Sequence, residues 1–103
     1  MPPHEMRIPD GARDGPYADK AVELARIWWV HDRPEYVLGP FLKDPKNIGR
    51  VLYEAAFHFS QVYASRDLGQ ADELLEQIKE GWESAKTIPI ATRMTTEAPP
   101  KKG

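Results

Sequence analysis

Glu54 and His58 stand four residues apart inside an apolar stretch that reads as helix. Residues at i and i+4 share a helical face, so this carboxylate and imidazole can offer two ligands to a metal ion. A closed metal site usually takes four ligands. The others would have to come from His31, from Asp32 or from a second chain. The usual helical pair, His-Glu-x-x-His, does not occur. The competing reading of Glu54 and His58 is a surface ion pair, or a histidine bonded to a carbonyl. His31 and Asp32 are a second acid–base pairing, but neighbours on a strand point to opposite faces, and a turn is the simpler reading. Ser60, Ser65 and Ser84 lie on or beside helical stretches with no nucleophile elbow around them, and no glycine-rich phosphate loop is present. With no cysteine in the chain, thiolate chemistry is excluded. No cofactor is called for. Catalysis is therefore the minor expectation, carried by a small-molecule-binding or metal-dependent enzyme built on Glu54 and His58.

The helix that would hold this pair has a clear start. Asp44 suits an N-cap, because its carboxylate accepts orphan backbone N–H bonds, and Pro45 suits the first helical position. Ile48, Val51, Leu52, Ala55, Ala56, Phe59, Val62 and Tyr63 then recur at helical spacing. This predicts a helix from about Pro45 to Ser65. A break follows at Arg66-Asp67-Leu68-Gly69, where Asp67 and Gln70 have capping-box spacing. A second helix runs to about Lys86, with Leu68, Ala71, Leu74, Leu75, Ile78 and Trp82 as its apolar stripe. Two helices joined by so short a loop pack antiparallel.

The segment Ala21 to His31 fits either a helix or a strand. Ile27 to Val30 is Ile-Trp-Trp-Val, which favours a pleated surface, so strand is the reading adopted. Asp32-Arg33-Pro34-Glu35 reads as a turn, and Tyr36 to Leu42 as a second strand, completing a hairpin. Pro2, Pro3, Pro9 and Pro16 with Gly11 and Gly15 mark residues 1–20 as a flexible arm. Pro99, Pro100 and the polar run before them mark 89–103 as a disordered tail. The expected fold is α+β: a β-hairpin followed by an antiparallel helix pair, in one domain spanning 21–88.

A chain of 103 residues suits one domain. Its net charge of −2 opposes nonspecific nucleic-acid binding, which needs a basic field, and opposes a basic membrane-surface helix. No run approaches the roughly 20 apolar residues of a membrane span, and the N-terminal stretch has no secretory apolar core. With the absence of cysteine, these features point to a cytoplasmic protein.

The first strand would carry Val22, Leu24, Arg26, Trp28 and Val30 on one side, with Glu23, Ala25, Ile27, Trp29 and His31 on the other. Tyr36 and Leu38 lie on one side of the second strand, Val37 on the other. Both sides carry large apolar groups, whereas a sheet with one solvated face alternates apolar with polar. The expectation is a homodimer associating through the hairpin, with Trp28, Trp29, Tyr36 and Leu38 as interface residues. The alternative is that the arm folds back over the second face through Ile8 and Tyr17. Pro40 would blunt one strand edge. A further alternative makes Trp28 and Trp29 a base-stacking platform for nucleic acid, which the overall charge opposes.

Taken together, the proline-broken arm, Ala21-Val-Glu-Leu-Ala-Arg-Ile-Trp28, the short second strand, Asp44-Pro45 opening a helix with Gly49 in its first turn, and the acidic helix ending near Lys86 are similar to a family of short bacterial proteins known only as a domain of unknown function. The resemblance runs from about Arg7 to Lys86. One departure is Ile48, where that family carries tryptophan. The resemblance implies a hairpin-plus-helices fold in a bacterial cytoplasm, and it implies no activity and no catalytic residues.

Overall fold

The computed structural model describes residues 4–97. In chain order they form a short helix α1 (Asp10–Arg13), a 3-10 turn (Ala18–Lys20), strands β1 (Ala25–Val30) and β2 (Arg33–Leu38), helices α2 (Lys46–Ser65) and α3 (Ala71–Ala85), and strand β3 (Arg93–Thr96). The fold is α+β, a β-hairpin followed by two long helices, with a third strand that the sequence reading did not anticipate. The described chain groups into two compact units, residues 4–41 with 93–97, and residues 42–92. No helix among the described residues is long and apolar enough to cross a membrane.

In the first unit, β1 pairs antiparallel with β2 from Ala25↔Leu38 to Val30↔Arg33. The turn is His31-Asp32, with φ of 49° and 67°. Positive φ at both central residues is the primed turn whose twist matches the strands it joins. The expected turn at Asp32 to Glu35 is thus displaced, and Arg33, Pro34 and Glu35 already belong to β2. Pro34 is tolerated for a geometric reason. Val30 and Arg33 close the turn, and bonded and non-bonded pairs alternate along an antiparallel ladder. Pro34, opposite Trp29, therefore directs its missing N–H away from β1. On that side β3 begins pairing only at Glu35.

Strand β3 runs parallel to β2, from Glu35↔Arg93 to Leu38↔Thr96, and Glu97 N donates to the Leu38 carbonyl at 2.9 Å. The sheet order is β1-β2-β3. This corrects the expectation of disorder from residue 89, at least for Arg93–Thr96. That segment has no apolar alternation to reveal it, and it joins the sheet through backbone donors and acceptors. Residues 98–103 of the expected tail lie outside the described residues. The N-terminal arm also has local structure, since the Pro9 carbonyl accepts from Ala12 N and Arg13 N to start α1.

In the second unit, α2 opens as its sequence dictates. The Asp44 carboxylate accepts from Lys46 N at 3.0 Å. It closes with Asp67 N donating to the Ala64 carbonyl and Leu68 N to the Tyr63 carbonyl, while Asp67 holds φ 60°. This pair of bonds around a left-handed residue is the Schellman stop. Asp67 therefore ends α2 and does not cap α3, so the expected capping box does not form. The α2–α3 seam is built on small residues. Ser60 is 1% exposed, its Oγ donating to the Phe57 carbonyl at 2.6 Å, with half-buried Ala56 and Ala64 on either side. Leu74 of α3 is 9% exposed, the most buried large side chain, flanked by half-buried Ala71, Leu75 and Ile78. Small side chains let the two backbones approach. Other members of the expected stripes, including Val62, Leu68 and Trp82, are exposed.

Candidate interaction surface

Directly opposed residues of an antiparallel pair share a face, so the register sorts the sheet. Ala25, Ile27 and Trp29 stand with Leu38, Tyr36 and Pro34 on one face, joined by Met94, the partner of Tyr36 on β3. All of these are apolar or aromatic, and Thr96, the partner of Leu38 on β3, adds one polar side chain to the face. Trp29 is 72% exposed, Ile27 59% and Met94 55%. The opposite face carries Arg26, Trp28 and Val30 with Val37, Glu35 and Arg33, and Arg93 beside Glu35. Trp28 is half-buried there. Of the four residues expected at an interface, Trp29, Tyr36 and Leu38 come together and Trp28 lies on the other side. The two indoles therefore do not form one stacking platform. Ile27 and Met94 were missed. Alternation with Trp29 would have found Ile27, but nothing local marks Met94, which reaches the face only because β3 pairs with β2.

The arm meets the sheet through charge. Arg26 Nη1 donates to Glu5 Oε2 at 2.6 Å and its Nε to Glu23 Oε2 at 3.0 Å. The Glu23 hydrogen bond, then the Glu23 and Glu5 charges, raise the guanidinium further above its ordinary value. Ile8 and Tyr17, the expected apolar anchors of the arm, are both exposed. A groove of about 750 Å³ has Met6, Ile8 and Pro9 on one wall and consecutive residues Ile27, Trp28 and Trp29 on the other. Consecutive strand residues alternate faces, so the groove follows the free edge of β1.

On α2, Arg50 Nε donates to Glu54 Oε2 at 2.7 Å. That hydrogen bond and the accompanying charge hold the Glu54 carboxyl below its usual value, with a smaller contribution from His58. The His58 ring sits edge-on to Phe57, centroids 5.7 Å apart. Glu54 is thus engaged by a guanidinium, and among the described residues no group of three or more His, Cys, Asp or Glu gathers as metal ligands. His31 and Asp32 form the hairpin turn.

No curated protein matches the chain. Among solved structures it is similar to one from the photosynthetic bacterium Rhodopseudomonas palustrus CGA009, named a "putative pyruvate dehydrogenase", with 25% identity and a TM-score of 0.72 over 94% of this chain and 98% of that one. Residues 5–89 match the model of a domain of unknown function, DUF5076, and with most of its length inside that match the chain belongs to this family.

Proposed function

We propose that the protein is a homodimeric interaction module of the bacterial cytoplasm that works without catalysis, associating through the sheet face of Ile27, Trp29, Tyr36, Leu38 and Met94. The observation that carries this reading is the exposure of Ile27, Trp29 and Met94 on that largely apolar face. Monomers rarely leave contiguous apolar patches of this kind open, and a two-fold pair of identical faces is the commonest way to close one.

The cytoplasmic assignment rests on the cysteine-free sequence, and the bacterial one on the Rhodopseudomonas structure. The activity in that protein's name gains no support here.

Light scattering behind size exclusion, over a range of concentrations, tests the reading. A mass twice the 11.7 kDa of one chain is expected, falling toward one chain in Trp29→Glu. A wild-type mass of one chain at every concentration overturns it.

A further inference from the structure

The backbone of β1 is bonded on one side only. Gly39 N donates to the Leu24 carbonyl at 3.1 Å, one step beyond the Ala25↔Leu38 pair that opens the register. Bonded and non-bonded pairs alternate along an antiparallel ladder, so Leu24, Arg26, Trp28 and Val30 bond to β2. Ala25, Ile27 and Trp29 turn their N–H and C=O the other way. β1 stands at one end of the sheet order, and among the described residues these outward groups have no hydrogen-bond partner. The connections to the helical unit attach after β2 and before β3, so β1 carries neither. The arm runs beside this edge without pairing to it, linked through Glu5 and Arg26 and separated by the groove of about 750 Å³. Strand edges are normally blunted by a proline, a bulge or an inward charge. β1, Ala-Arg-Ile-Trp-Trp-Val, has no proline and pairs without a bulge.

We infer that this edge pairs with the same edge of a second copy, β1 against β1, antiparallel about a two-fold axis at Ile27. This rests on the self-association reading above and names the contact that joins the copies. The second copy is chosen because the edge is complementary to itself. The outward residues are spaced evenly about Ile27, so an axis there bonds Ile27 to Ile27 and Ala25 to Trp29 of the other copy. In this register no outward N–H or C=O of Ala25, Ile27 or Trp29 is left unpaired. Side chains match on both faces, since directly opposed residues share a face. On the largely apolar face the large Trp29 stands against the small Ala25. On the other face Trp28 stands against Arg26 of the other copy, a ring and a guanidinium that attract each other. Two three-stranded sheets become one of six strands, with Ile27 and Trp29 at the centre of a continuous apolar face.

Amide hydrogen exchange followed by NMR on the full chain tests this, because pairing protects amides that stacked sheet faces leave unpaired. Exchange at Ala25, Ile27 and Trp29 is expected to slow as the concentration rises through the dimer dissociation constant, while Arg26 and Trp28, already bonded to β2, change less. Ala25→Pro removes an outward N–H and leaves the β1–β2 ladder intact. It deletes two hydrogen bonds per dimer and is expected to raise the dissociation constant about tenfold, with the circular dichroism spectrum unchanged. If the wild type has twice the chain mass but exchange at the outward amides does not follow concentration, the edge pairing is overturned while self-association through the sheet face stands. An unchanged dissociation constant in a folded Ala25→Pro overturns it in the same way. A wild-type mass of one chain overturns both readings. Should Ala25→Pro fail to fold, the exchange result alone decides.

Discussion

Arg26 holds Glu5 at 2.6 Å, across 21 residues of sequence, and so fastens the N-terminal arm to β1 by charge. Exposed ion pairs contribute little to global stability. Glu5→Ala is therefore expected to leave the melting temperature unchanged while freeing the arm. Limited trypsin digestion reads this as faster cleavage at Arg7 and Arg13. An unchanged cleavage rate would mean that apolar contacts hold the arm.

Trp28 and Trp29 are neighbours with different environments, half-buried and 72% exposed. Trp28→Ala is expected to lower stability by about 2 kcal/mol, the cost of removing a partly buried ring. Trp29→Ala is expected to leave monomer stability nearly unchanged and to weaken association. Urea unfolding and light scattering at matched concentrations separate the two effects.

The hairpin turn places two non-glycine residues at positive φ, His31 at 49° and Asp32 at 67°. Left-handed backbone is strained for residues bearing a Cβ, and Asn-Gly is the favoured pair at these positions. The double variant His31→Asn, Asp32→Gly is expected to stabilise the protein by about 1 kcal/mol. Thermal unfolding checks it, and a lower melting temperature would show that His31 or Asp32 makes a contact that outweighs the strain.

Gly69 has φ 149°, and a Cβ there would stand 3.3 Å from the side chain of Leu74. Gly69→Ala therefore strains the backbone and pushes on the most buried leucine of the helix seam. A loss of about 1–3 kcal/mol is expected by equilibrium denaturation. Gly49→Ala, in open space on α2, serves as the control and is expected to stabilise slightly.

Arg50 holds the Glu54 carboxyl below its usual value. A lowered folded-state pKa means that the pair stabilises α2 above the ordinary glutamate value near ~4.3. The contribution fades as the pH falls through the lowered value. Carbon-detected NMR titration of Glu54 is expected to show a midpoint below the ordinary value, returning toward it in Arg50→Ala. A wild-type midpoint at the ordinary value would mean that the ion pair does not persist in solution.

Much of the fold was legible because its signals are local. The helical recurrence from Ile48 to Tyr63 and the Asp44-Pro45 start place α2 within a residue of its observed bounds. Ile-Trp-Trp-Val favours a strand through pleated side-chain packing, and β1 is a strand. Asp67 was misread for a local reason as well. Spacing to Gln70 makes it resemble a cap for the following helix, whereas its backbone had already turned left-handed to close α2. The turn was misplaced because Pro34 reads as a breaker. Only the pairing pattern shows that its missing N–H faces away from β1.

The sequence by itself determined the two long helices and the first strand, because periodicity and capping act over a few residues. It also determined that both sides of the hairpin carry large apolar groups. Tertiary structure alone decided that Arg93–Thr96 becomes a strand. A parallel pairing across more than fifty residues leaves no imprint on a polar tetrapeptide whose contribution is its backbone. Tertiary structure alone also decided which apolar residues share a face. The pairing register groups Ile27, Trp29, Tyr36, Leu38 and Met94 on one side, and leaves Trp28 among arginines and a glutamate on the other.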